Sequence, residues 1–212
     1  FFNFSGIDVG KTVEQIEHSF KNHCNSALAT LRAEYRSLLS EMPEVVMQDA
    51  VADNLEKVLR YVRGNGLPAL YVIIDEYDNF ANQLITSNQD QLYRGVTAAD
   101  GFLKTFFKTL KAGRESGALA NVFITGVLPI TIDELASAFN VGTFLTLEPG
   151  FEAMLGFTQA EVDRLLDEIY QDYALDPATR NEVNTVIKNY YNGYHFVDPL
   201  GEALDTSTIL IY

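Results

Sequence analysis

Ala69-Leu70-Tyr71-Val72-Ile73-Ile74-Asp75-Glu76 decides the fold. Its apolar run does not alternate and is rich in β-branched residues, which predicts a strand buried on both faces of a parallel sheet. Two carboxylates follow at once. In open parallel sheets ligands bind beyond the carboxyl ends of the strands, so this position carries more information than the residue types alone. An Asp there can hold Mg²⁺, which prefers hard oxygen ligands and binds through one or two carboxylates plus substrate phosphates. The adjacent Glu, directed elsewhere, can orient or deprotonate an attacking water. Asp75 is therefore the candidate metal ligand and Glu76 the candidate catalytic residue. The plainer alternative makes them helix-capping or solvent-facing carboxylates. Asp78 adds charge at the same end, either supporting a metal or as an exposed turn residue.

Upstream, Val13, Ile16, Phe20, Cys24, Ala27, Leu31, Tyr35 and Leu38 recur at spacings of three and four, one stripe of an amphipathic helix with Thr12 as its N-cap. Pro43 marks the start of a second helix through Val46, Ala50, Leu55, Leu59 and Val62. Gly64-Asn65-Gly66 ends it, and Pro68 forbids its continuation. Downstream, a polar stretch over 82–90 leads to a helical pattern over 92–110, interrupted by Gly101 and ending among Gly113 and Gly117. Val122-Phe123-Ile124-Thr125 repeats the short apolar strand and Gly126 closes it. A helix over 132–139 and a strand over 143–147 complete the alternation. Strands separated by helices predict an α/β fold with right-handed crossovers and a three-layer parallel-sheet core. After Pro149-Gly150 helical patterns over 159–170 and 177–191 dominate, so the reading divides the chain into an α/β core (1–149) and a helical subdomain (150–212).

Composition sets the outer limits. The 212 residues are 47% hydrophobic and include 14 Phe and 11 Tyr, which argues for a globular chain rather than a disordered one. Fifteen Lys and Arg against 29 Asp and Glu give a net charge of -14, which disfavours direct nucleic-acid binding by this segment unless the cations gather on one face. One cysteine cannot form an internal disulfide, and with three histidines it offers no zinc spacing. An intracellular, cytoplasmic setting is the expectation, with Cys24 as inert core. The longest apolar run is too short to span a membrane, and a soluble module is expected. Both ends read as cut from a longer chain, with no initiator Met before Phe1 and an apolar run up to Tyr212.

The second strand end adds Thr125, a hydroxyl positioned to hold a water or a γ-phosphate, and so the candidate nucleotide-binding residue. Four motifs then occur in order: Tyr71-Val-Ile-Ile-Asp-Glu-Tyr-Asp78, Phe123-Ile-Thr-Gly-Val127, Leu155-Gly-Phe-Thr-Gln-Ala-Glu-Val162 and Tyr190-Tyr-Asn-Gly-Tyr-His-Phe196. In this order the chain resembles the AAA-ATPase-like family of P-loop proteins, which is similar to STAND-type and archaeal ATPases. The resemblance implies ATP and Mg²⁺ as cofactors, Asp75 and Glu76 as the Walker B pair, and Thr125 near the sensor position. It further implies a helical lid from Gly150 onward and, in many members, a downstream nuclease-like domain of the PD-(D/E)XK type as partner.

A phosphate-binding loop needs Gly-x4-Gly-Lys-Ser/Thr, because its backbone N–H groups must wrap the phosphates before the helix begins. Gly6-Ile-Asp-Val-Gly10-Lys11-Thr12 has only three intervening residues, one of them acidic. The resemblance implies that the true loop lies upstream of Phe1 and that 1–12 is the next strand leading into a helix. The fragment alone is then expected to bind ATP poorly and to be inactive. Arg114 and Arg164 are conceivable phosphate contacts or ordinary surface residues. His18, His23 and His195 read as structural. Two alternatives stand beside the ATPase: an inactive interaction scaffold of the same fold, and, more weakly, a nuclease metal site built from Asp75, Glu76 and Asp78.

Overall fold

The computed structural model describes residues 1–98, 101–126, 145, 148–151 and 156–191. The chain divides into two units, Phe1–Val141 and Gly142–Tyr212.

In the first unit three strands, β1 (Phe2–Asn3), β2 (Leu70–Asp75) and β3 (Leu119–Ile124), pair in parallel in the order β1-β2-β3. The central strand is therefore the one that ends in Asp75. Asn3 is opposite Asp75, and Ile74 is opposite Phe2 on one side and Ile124 on the other. Between β1 and β2 run α1 (Val13–Glu34), α2 (Arg36–Leu39) and α3 (Val51–Gly64). Between β2 and β3 run α4 (Asn79–Thr86), α5 (Asp90–Val96) and α6 (Phe102–Glu115). The strand order advances in one direction, so right-handed crossovers put both sets of helices on the same face.

That topology explains a departure from the sequence reading. The unbroken apolar run predicts burial on both faces of β2, yet burial alternates: Val72 and Ile74 are buried, while Tyr71 is 75% and Ile73 44% exposed. Phe123, opposite Ile73 on β3, is 40% exposed as well. The described helices cover the Val72–Ile74 face, and a layer over the other face is not supplied by the described residues.

On the covered face the core is aromatic at its centre. Phe106 meets Phe2 and Phe20 edge to face at ring-centroid distances of 5.5 Å, and Phe4 meets Phe20 at 5.4 Å. Such pairs add about 0.5–1.5 kcal/mol each beyond the area they bury. They fasten the two-residue β1 to α1 and α6, and so fix Asn3 beside Asp75. Gly113 of α6 lies where a Cβ would stand 2.8 Å from Leu59 Cδ1 and 2.9 Å from Leu119 Cδ1, so its bare backbone lets α6 approach α3 and β3.

Three local readings change. First, Thr12 does cap α1, accepting from Gln15 N at 3.3 Å, but the fully buried stripe is Ile16, Phe20, Cys24 and Leu28. The helix stops at Glu34, leaving Tyr35 52% and Leu38 49% exposed.

Second, helix α3 begins at Val51 rather than Pro43, because two buried asparagines hold residues 46–49 in a loop. Asn25 Nδ2 donates to the carbonyls of Met47 (3.2 Å) and Asp49 (3.0 Å). Asn54 Nδ2 donates to Val46 O at 2.7 Å and to Asn25 Oδ1 at 3.0 Å, while Asn54 Oδ1 accepts from Val46 N at 3.3 Å. These bonds satisfy backbone groups that would otherwise need a helix. Third, part of the polar stretch over 82–90 is helical, because Ala81 and Leu84 bury one short face of α4.

In the second unit α7 (Gln159–Asp172) opens with a capping box. Thr158 Oγ1 accepts from Glu161 N, and Thr158 N donates to the Glu161 carboxylate at 2.8 Å, a bond that lowers the Glu161 pKa. A 3₁₀ turn at Pro177–Thr179 leads into α8 (Arg180–Tyr191). Val162 and Leu166 pack against Val183 and Ile187, and Arg180 Nη2 donates to Asp167 Oδ1 at 2.9 Å and Asp163 O at 2.8 Å, tying the two helices together. The expected helix over 132–139, most of the strand over 143–147, and the aromatic motif from residue 192 on lie outside the described residues.

Candidate functional site

Because the three strands are parallel, their carboxyl ends share one rim, and Asn3, Asp75 and Thr125 leave the sheet together. Two backbone bonds carry the β2–β3 ladder past the strands. Thr125 N donates to Ile74 O at 2.9 Å, and Tyr77 N donates to Thr125 O at 3.0 Å. Thr125 is thereby set beside Asp75, and its Oγ1 donates a hydrogen bond to Asp75 Oδ1. The half-buried Asp75 keeps its second carboxylate oxygen, Oδ2, without a hydrogen bond among the described residues. The sequence reading named Asp75 and Thr125 separately, and the fold brings them into contact.

Glu76 follows with φ at 51°, in the left-handed region that a non-glycine residue enters at a cost on the order of 1 kcal/mol. The turn is sustained by Asn79 N donating to Glu76 O at 3.0 Å. The exposed Glu76 side chain accepts at Oε2 from Asn79 Nδ2 at 2.7 Å, and Asn79 Oδ1 accepts from Gln83 Nε2 at 2.8 Å. Beyond it the chain turns inward. Tyr77 is 4% and Asp78 1% exposed, and Asp78 Oδ2 accepts from Asn82 Nδ2 at 2.6 Å. Asp78 is thus a buried packing carboxylate rather than an exposed turn residue. Gly126, opposite, has no room for a Cβ, which would collide with the Tyr77 ring and with Asp78 Oδ1.

The Asp75–Thr125 pair suits Mg²⁺ better than a softer metal: a carboxylate with one oxygen unbonded among the described residues, and a hydroxyl beside it. Among the described residues no cluster of three or more His, Cys, Asp or Glu forms a closed metal cage. A metal held by one protein carboxylate would complete its shell with water and substrate phosphate.

The Gly6–Thr12 loop sits at the end of the neighbouring β1, and its geometry separates it from a phosphate cradle. Asp8 N donates to Ser19 Oγ at 2.9 Å, Lys11 N to Gln15 Oε1 at 2.8 Å, and Gln15 N to Thr12 Oγ1. Within the loop the amides of Ile7, Asp8 and Lys11 are thus already bonded inside the chain rather than open to a phosphate. An open groove of about 710 Å³ runs along this loop and α1, lined by Asp8, His18, Ser19, Asn22 and His23 among others. His18 and His23 share that groove: His18 pairs with Asn22 Nδ2 at 2.9 Å, and the His23 ring packs on Gly6.

Of the other residues singled out by sequence, Arg114 is in the last turn of α6, just before β3 begins at Leu119, so it lies at the rim opposite Asp75. Arg164 is on α7, where its charge acts on Glu161. Cys24 is buried, and burial pushes its thiol pKa well above the usual range, as suits an inert core residue. Sequence reasoning missed Asn79 and Gln83. Their one signal is spacing, an amide three residues after Glu76 and another four further on, where helical side chains meet.

Residues 1–136, which carry the three described strands and the Asp75–Thr125 contact, match the family model described as predicted AAA-ATPase. The chain belongs to this family. No curated protein and no solved structure matches the chain significantly. Membership in the predicted AAA-ATPase family makes the chain a general ATPase-like module. No described helix is long and apolar enough to cross a membrane.

Proposed function

We propose that the β2–β3 rim serves a Mg²⁺-bound nucleoside triphosphate, ATP, and that the module hydrolyses its terminal phosphoanhydride bond. The observation that supports this most is the contact between Asp75 and Thr125 at the ends of adjacent parallel strands, with Glu76 turned out beside them. Asp75 Oδ2 is the oxygen available to the metal. Bound there, Mg²⁺ supplies neutralisation of charge on the phosphate oxygens. Glu76 accepts a proton from, or orients, the attacking water. The Thr125 hydroxyl reports the γ-phosphate: once that group competes for its hydrogen bond, the link to Asp75 changes, and with it the β2–β3 junction. Residues 150–212 act as a helical lid that passes this change to a partner, a downstream nuclease-like domain or another protein.

Calorimetry of ATP binding to the full-length protein, with and without Mg²⁺, tests the reading. Wild type is expected to bind more tightly with Mg²⁺, and Asp75→Asn to lose that increment. Absence of any ATP–Mg²⁺ binding by the wild type would replace the ATPase with an inactive scaffold of the same fold.

A further inference from the structure

Among the groups at the rim, one pair of amides has no part in the chemistry assigned above. Glu76 projects from a left-handed residue at the start of a turn, a position that leaves a long carboxylate side chain with several rotamers. It is nonetheless held. Asn79, the first residue of α4, donates from Nδ2 to Glu76 Oε2 at 2.7 Å, and its backbone N–H donates to Glu76 O at 3.0 Å. The direction of the side-chain bond is fixed by chemistry, because a carboxylate only accepts and so Asn79 must present its NH₂. Its Oδ1 then faces the other way and accepts from Gln83 Nε2 at 2.8 Å, one helical turn along α4. Gln83 therefore holds the far end of the Asn79 amide, whose NH₂ the carboxylate has already turned toward Glu76.

We propose that Asn79 is a positioning residue that aims the Glu76 carboxylate, and that Gln83 braces it through the chain of hydrogen bonds from Gln83 to Asn79 to Glu76. The inference rests on Glu76 being the group that handles the water. A general base must lie within hydrogen-bond reach of the proton it takes, and misplacement by about 1 Å can cost two orders of magnitude.

Steady-state ATP hydrolysis by the full-length protein tests this. Asn79→Ala should lower kcat roughly 10- to 100-fold with KM for ATP unchanged, since Asn79 touches the catalytic carboxylate and not the nucleotide. Substitutions at Gln83 separate aiming from general stability. Gln83→Glu offers only acceptors, so it cannot donate to Asn79 Oδ1 and competes with Glu76 for the Asn79 NH₂, and kcat should fall toward that of Asn79→Ala. Gln83→Lys still donates to Asn79 Oδ1 and should keep near wild-type kcat. Equal effects of the two Gln83 changes, or an Asn79→Ala enzyme with normal kcat, would overturn the inference. Glu76→Gln serves as the control. If it abolishes turnover while Asn79→Ala does not, only the positioning role fails; if it leaves turnover intact, the proposed function fails and the positioning role with it.

Discussion

The ends of β1 and β2 lie side by side on one rim, and each leads toward a helix, yet the two handle their polar groups in opposite ways. After β1, the amides of Asp8, Lys11 and Gln15 are bonded to Ser19, Gln15 and Thr12. After β2, Asp75 keeps one carboxylate oxygen unbonded among the described residues, and Glu76 is turned outward on a left-handed residue. The first loop resembles a phosphate loop in letters and is a structural helix start in geometry. The second is two acids in letters and a presented site in geometry. Unfilled hydrogen-bonding capacity at a strand end, rather than motif spelling, separates a binding rim from a connection.

The contrast breaks most sharply in a pair of variants of the full-length protein. Asp75→Ala should lower Mg²⁺-dependent ATP turnover by about 100-fold or more, since it removes the metal's protein ligand. Lys11→Ala should leave turnover unchanged. Equal losses would return the Gly6–Thr12 loop to the phosphate site and erase the distinction.

Stability sharpens the same comparison, because side chains that close off backbone groups should matter to folding and not to chemistry. Asn54→Ala orphans Val46 N and O together with the Asn25 amide oxygen, and unfolding by urea should show a loss of about 2–3 kcal/mol. Thr12→Ala removes the N-cap of α1 and should cost about 1 kcal/mol in the same assay. An ATPase defect without a stability loss in either variant would contradict this division.

The smallest effect is on pH. A backbone hydrogen bond, then one to Thr12, lowers the pKa of Glu14 in the first turn of α1. A depressed folded-state pKa stabilises above the unfolded value of about 4.3 and loses that contribution as pH falls. Protection against amide exchange at the start of α1, relative to the intrinsic rate at each pH, should therefore fall below about pH 4.3, and less so in Glu14→Gln. An identical response in both would remove Glu14 from the cap.

Local chemistry made much of this legible in sequence: the β2 strand, its acidic end, the Thr12 cap and the break at Gly101 all follow from residue type and spacing. What sequence hid depends on contacts distant along the chain. Asn25 and Asn54 are 29 residues apart, and only their meeting explains why 46–49 is a loop. Asp75 and Thr125 are 50 apart, and their contact depends on strand order. The exposed face of Tyr71, Ile73 and Phe123 follows from one-directional strand addition, which no residue type in β2 encodes. Asn79 lay within four residues of the acids, but an amide in a polar turn has too many ordinary roles to stand out.

The most direct measurement is ATP turnover, alongside ATP–Mg²⁺ binding by calorimetry, in full-length Glu76→Gln. The account predicts retained binding with turnover reduced by about 100-fold or more, since the amide keeps the shape of the side chain but cannot take a proton. Undiminished turnover would contradict it.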